Sequence, residues 1–214
     1  MRIGVFDSGI GGDAVAYELG REFPHAEMIN VSDKEHVPYG NRTKEDIVEL
    51  TDAAIRPLIE SGCDVIVLAC NTATAAAIDV LRERHPTQPF IGLEPMLKPA
   101  AALTKTGTIA VFATPSTLGS ERYLAMKKLH TGGVNVLEPD CSDWATLIEN
   151  DDINQDHIED IVNQSIEDGA DILVLGCTHY HWIKQEIVET AGNRAKVLEP
   201  SEAIARRVRE LLDL

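Results

Sequence analysis

Basic residues are scarce in this chain: 19 Lys and Arg stand against 35 Asp and Glu among 214 residues, a formal net charge of -16. A surface of that sign repels phosphate backbones, so no nucleic acid partner is expected. The carboxylates are spread over the helical stretches with one local cluster, Asp151-Asp152 with Asp156, Glu159 and Asp160, and their plain role is solubility. Long apolar runs are also missing. No segment reaches the ~18 consecutive apolar residues of a membrane span, and Met1-Arg2 leads directly into Ile3-Gly4-Val5-Phe6 without a secretory pattern. A cytoplasmic protein with no membrane partner is expected. Cysteine is limited to Cys63, Cys70, Cys141 and Cys177. None of them has C-x2-C or C-x4-C spacing, so no metal site is expected, and free thiols are the default. No low-complexity linker separates one part of the chain from another, which predicts packed rather than tethered lobes.

What the chain does contain is a repeat. Gly62-Cys63-Asp64-Val65-Ile66-Val67-Leu68-Ala69-Cys70-Asn71-Thr72 returns as Gly169-Ala170-Asp171-Ile172-Leu173-Val174-Leu175-Gly176-Cys177-Thr178-His179. At nearly the same offset, Ile3 to Ser8 answers to Ile109 to Thr114, and Leu93-Glu94-Pro95 is echoed by Leu198-Glu199-Pro200. Short apolar runs at 3–6, 28–31, 65–68, 90–92, 109–112, 134–137, 172–175 and 196–198 read as strands. Amphipathic stretches between them read as helices. One covers 44–61, where Ile47, Leu50, Ala54 and Leu58 keep a helical period behind Thr43 as N-cap. Another covers 201–214.

This alternation predicts an α/β fold of two similar lobes with mainly parallel sheets related by pseudo-symmetry. The two Glu-Pro pairs mark the crossings, so residues 1–94 plus 199–214 form a first lobe and 95–198 a second. In open parallel sheets ligands bind beyond the carboxyl ends of the strands. Asp7, Cys70, Thr114 and Cys177 all fall there, and lobes facing each other through those ends would enclose one active-site cleft.

Each repeated cysteine precedes polar residues able to cap a helix: Asn71-Thr72 after Cys70, Thr178 after Cys177. Helix-terminal amides favour a thiolate and can also hold a carboxylate. The alternative reading of either cysteine is a small buried hydrophobe; two copies in one structural context favour a reaction needing two matched acid/base groups. The turn Asp7-Ser8-Gly9-Ile10-Gly11-Gly12 follows a strand and opens a helix, but Val15 stands where the third glycine of a dinucleotide fingerprint would be. Its glycines allow close approach to the backbone, and Asp7 is placed to meet an ammonium or assist a base.

Taken together, Asp7-Ser8-Gly9-Ile10-Gly11-Gly12, Pro38-Tyr39-Gly40, Cys70-Asn71-Thr72-Ala73, Thr114 with Thr117, and Gly176-Cys177-Thr178-His179-Tyr180 resemble glutamate racemase, a cofactor-independent member of the aspartate/glutamate racemase superfamily. The likeness runs from residue 1 to about residue 208. It implies interconversion of L- and D-glutamate, with D-glutamate supplied for peptidoglycan. It also implies no cofactor, a small-molecule substrate and room for a homodimer.

By the same resemblance Cys70 and Cys177 are the two bases, their sulfurs roughly 6 to 8 Å apart across one α-carbon. Asp7 is the polar partner of Cys70 and His179 that of Cys177, while Glu149 lies where the family has a further acid. Ser8, Pro38, Tyr39, Gly40, Asn71, Thr72, Thr114, Thr117 and Thr178 are the matched substrate-binding positions. The chain departs from the pattern at Asp13, where Leu is frequent, at Cys141-Ser142 in place of Cys-Pro, and at His181-Trp182, where Pro often follows His-Tyr. Its end soon after the last helix would alter packing of the first lobe and any dimer contact. A racemase of aspartate or another amino acid, or a ligand-binding relative without turnover, are the alternative readings.

Overall fold

The computed structural model describes residues 1–214, the side chain of Asn41 excepted. The chain forms two compact units, Met1–Glu94 with Pro200–Leu214, and Pro95–Glu199.

In the first unit, strands β1 (Arg2–Asp7), β2 (Glu27–Ser32), β3 (Val65–Leu68) and β4 (Phe90–Gly92) form an all-parallel sheet in the order β2-β1-β3-β4. The central strands are continuous apolar runs because both of their faces are covered, as parallel sheets require. On one face Phe6, Ile66 and Leu68 pack with Ile47, Ile55 and Leu58 of helix α2 (Lys44–Glu60) and with Ala73, Ala77 and Leu81 of α3 (Asn71–Arg84). On the other, Ile3, Val5, Val65 and Val67 meet Val15 and Leu19 of α1 (Gly11–Glu22), together with Ile204 and Val208 of the final helix (Ser201–Leu211). Thr43 caps α2 as its sequence predicts, its hydroxyl accepting from the Asp46 amide at 3.2 Å. That helix ends at Glu60 and the final one at Leu211, three residues short of the expected 214.

The second unit repeats the plan. Helix α4 (Leu97–Leu103) precedes β5 (Thr108–Phe112), and helices α5 (Pro115–Leu118) and α6 (Glu121–His130) lead to β6 (Asn135–Leu137). Helices α7 (Trp144–Glu149) and α8 (Gln155–Glu167) then lead to β7 (Ile172–Leu175), and α9 (Lys184–Ala191) to β8 (Lys196–Leu198). The last helix of the chain, already placed on the first unit, is α10. Strand order is β6-β5-β7-β8, again parallel throughout. Ile109, Val111, Ile172 and Val174 pack with Leu97, Ala100 and Tyr123.

The repeat extends to the polar ends of the strands. Asp64, before β3, accepts from the Arg2 amide at 2.7 Å, and Asp171, before β7, accepts from the Lys105 amide at 2.6 Å. In both units one aspartate ties the start of the third strand to the segment entering the first. Among the described residues no helix is long and apolar enough to cross a membrane.

Candidate active site

Strand register places the candidate side chains. Phe6 pairs with Leu68, two residues before Ser8 and Cys70, and Phe112 pairs with Leu175, two residues before Thr114 and Cys177. The two thiols therefore occupy the same position in two equivalent sheets. All four cysteines are free.

Cys70 is itself the N-cap of α3. Its backbone is extended (φ -73, ψ 118) and its Sγ accepts from the Ala73 amide at 3.4 Å. This corrects the expectation that Asn71-Thr72 caps the helix, since both lie inside its first turn. Ser8 Oγ is 3.3 Å from the same sulfur. Burial and then the charge of Asp7 push the Cys70 thiol up to about 11, while the Ser8 hydroxyl and the Ala73 amide pull the other way. Desolvation thus outweighs the helix terminus at this thiol.

Asp7 is fully buried, with Oδ2 accepting from the Gly9 amide at 2.8 Å. Gly12 makes room for it: a Cβ there would lie 2.5 Å from the Asp7 Cβ. At least this glycine of the first turn serves a neighbouring side chain rather than a ligand.

Tyr39 opens a 3-10 turn, Tyr39–Asn41, after Pro38. Its ring is buried against Phe6 and its hydroxyl donates to Asp33 Oδ2 at 2.7 Å, while Asp33 Oδ1 meets His36 Nδ1 at 2.8 Å. Burial and the bond to Asp33 hold the Tyr39 hydroxyl well above its ordinary range. With the ring turned inward and Pro38 and Gly40 exposed, the segment offers a ligand mainly its backbone. Asn71 and Thr72 are buried beside Cys70, and Asn71 Oδ1 has no hydrogen-bond partner. An orphaned buried carbonyl oxygen is costly unless a ligand donor completes it.

The second thiol is equipped differently. Cys177 begins a 3-10 turn, Thr178–His181, with no side-chain cap, so the expected helix start at Thr178 is a single tight turn. Cys177 Sγ lies 3.7 Å from His179 Nδ1, and His179 Nε2 lies 2.6 Å from Glu149 Oε1. A carboxylate, an imidazole and a thiol thus stand in series, the carboxylate fixing the ring that addresses the sulfur. Thr178 is buried. Thr114 caps α5, accepting from the Thr117 amide at 3.3 Å and donating to Thr117 Oγ1 at 3.1 Å. Among the described residues no three His, Cys, Asp or Glu side chains converge as a metal ion would require.

Sequence reasoning did not single out Asp33, whose carboxylate holds Tyr39, or the hydroxyl of Tyr180. The acidic residue six positions before Tyr39 was a visible signal; the Tyr180 partner, a backbone carbonyl, left none.

Two sheets of one topology, each delivering a thiol from the same register, define a racemase-type fold. Residues 13–208 match the model of the Asp/Glu/hydantoin racemase family, and the chain belongs to that family. It is 39% identical to a glutamate racemase of Herpetosiphon aurantiacus, over 98% of this chain and 84% of that protein. Among solved structures, Escherichia coli glutamate racemase in complex with L-glutamate superposes with a TM-score of 0.90 at 28% identity, covering 99% of this chain and 82% of that one. The Francisella tularensis glutamate racemase in complex with D-glutamate gives 0.81 at 28% identity, covering 99% and 80%.

Proposed function

We propose that this protein is a glutamate racemase that works without a cofactor, using Cys70 and Cys177 as its two bases. The observation that carries the reading is the duplicated position of the thiols, each at the carboxyl end of the third strand of its sheet. Inverting a stereocentre by proton transfer needs one group to remove the α-proton and a second to return a proton from the other face. Starting from one enantiomer, one sulfur as thiolate takes the α-proton and the C–H electron pair stays on carbon. The other, as thiol, then donates its proton to that carbon. The thiol and thiolate have exchanged places, ready for the opposite direction.

Ser8 and the Ala73 amide stabilise the Cys70 thiolate, and Asp7 opposes it unless an ammonium group offsets its charge. A substrate bringing α-ammonium near Asp7 would therefore assist its own deprotonation. Asn71 Oδ1 supplies an acceptor for that ammonium, and the first-turn amides of α3 suit a carboxylate. The Glu149–His179 pair serves Cys177. Thr72, Thr114, Thr117, Thr178 and the backbone of Pro38, Tyr39 and Gly40 complete the substrate contacts. The product, D-glutamate, serves peptidoglycan synthesis under this reading.

The test is incubation with L-glutamate in D2O without added cofactor. Optical rotation should decay to zero while solvent deuterium enters the α-position; neither change at high protein concentration would refute the reading.

A further inference from the structure

We propose that Tyr180 is a positioning residue that sets Glu149 against His179, and thereby tunes Cys177. The inference rests on the functional reading above for its kinetic consequence, and on geometry for its structural one. Helix α7 is six residues long, roughly 9 Å, far too short to be stable alone, yet it must present Glu149 from its last residue at hydrogen-bonding distance to His179. Its other end is held by the next residue of the same turn. The Tyr180 hydroxyl donates to the Cys141 carbonyl at 3.0 Å, and that carbonyl also accepts from the Trp144 amide at 3.2 Å, where α7 begins. The Trp144 ring lies edge-on to Tyr180 with centroids 5.2 Å apart and tilts against Phe112 of β5 at 5.5 Å. Tyr180 and Trp144 are fully buried. Cys141 Sγ in turn donates to the Ala113 carbonyl at 3.5 Å, just beyond β5.

Adjacent residues of one turn thus grip both ends of one short helix, His179 at Glu149 and Tyr180 at Cys141 and Trp144. Losing the Tyr180 bond frees the start of α7 and lets Glu149 drift, and a displacement of about 1 Å in such a group is enough to slow catalysis markedly. This also gives the polar stretch from Asp140 to Trp144 a role: its backbone is the joint between the thiol-bearing turn and the helix that carries the acid.

The experiment is a double-mutant cycle of Tyr180→Phe and Glu149→Gln in the full chain, read by steady-state kinetics and by NMR of His179 in ring-labelled protein. Tyr180→Phe removes one oxygen, and its melting temperature reports whether the fold is kept. It should lower kcat about tenfold with KM little changed, and the double variant should be no slower than Glu149→Gln alone, because both act through one hydrogen bond. In the NMR spectra the low-field proton of the His179–Glu149 bond should weaken in Tyr180→Phe and move upfield in Glu149→Gln, where a neutral amide oxygen replaces the carboxylate as acceptor. Multiplicative losses in the double variant, or an unchanged His179 signal in Tyr180→Phe, would overturn the proposal. A wild-type protein that fails to racemise glutamate would refute the functional reading instead, and the NMR arm would still decide the role of Tyr180.

Discussion

The two thiol-bearing turns are alike in topology and unlike in chemistry. Each follows the third strand of a β-sheet with the same strand order, and each lies two residues past a ladder pair whose partner strand leads on to a hydroxyl residue, Ser8 or Thr114. Cys70 then caps a 14-residue helix and takes its polar contacts from a backbone amide and a serine. Cys177 leads into a four-residue 3-10 turn and faces an imidazole backed by a carboxylate. Duplication explains the shared position and divergence the tuning. The difference teaches that one backbone position can be furnished with two kinds of polar neighbour, fixed dipoles at Cys70 and an imidazole backed by a carboxylate at Cys177.

The sharpest break of this comparison is removal of either sulfur. Cys70→Ala and Cys177→Ala should each cut racemisation by at least about a thousandfold, the range expected for loss of an essential acid/base group, with far-UV circular dichroism unchanged. Substantial activity in either would deny that both thiols are needed. Next, Glu149→Gln should cost about a hundredfold in kcat through the Cys177 turn, a loss measured by the polarimetric rate, whereas Ser8→Ala should cost about tenfold through the Cys70 turn by withdrawing one charge-assisted hydrogen bond. If the serine change were the larger, the assignment of the stronger auxiliary group to Cys177 would be reversed.

A smaller effect at Cys70 is one of stability. Cys70 in the folded protein keeps its proton to about 11, above the unassisted value of 9.0. A folded pKa raised above the unfolded one stabilises fully below about pH 9, and that contribution is lost as pH rises towards 11. At two pKa units it amounts to no more than about 2 to 3 kcal/mol. Thermal melts of wild type and Cys70→Ala between pH 8 and 10.5 should show a shallower alkaline decline in the variant. Cys141, likewise pushed up to about 11 by burial, contributes a background common to both proteins.

Much of this is legible in the sequence. Continuous apolar runs such as Val65 to Leu68 are recognisable because strands covered on both faces tolerate little else, and a repeat of about 107 residues carries its topology with it. Thr43 signalled its helix start for the same reason, since a hydroxyl placed before a periodic stretch has one dominant use. Other features were hidden. Cys70 caps its own helix, a role for which cysteine has little propensity, so the polar residues after it drew attention instead. The glycines of the first turn suggest close approach to the backbone, but Gly12 is space for Asp7, a contact between residues five apart across a turn. The bond between Glu149 and His179 joins side chains 30 residues apart on elements whose approach depends on the Tyr180 bond to a backbone carbonyl, and main-chain acceptors leave no trace in sequence.

The most direct test of two unequal thiols sharing one reaction uses weakened rather than deleted bases. Cys70→Ser and Cys177→Ser would each be assayed with α-deuterated L-glutamate and α-deuterated D-glutamate. In each variant the serine makes proton removal rate-limiting for the enantiomer its own position deprotonates. The primary isotope effect should therefore rise for one enantiomer in Cys70→Ser and for the opposite enantiomer in Cys177→Ser. An effect that rises for the same enantiomer in both variants would contradict the assignment of one thiol to each face of the α-carbon.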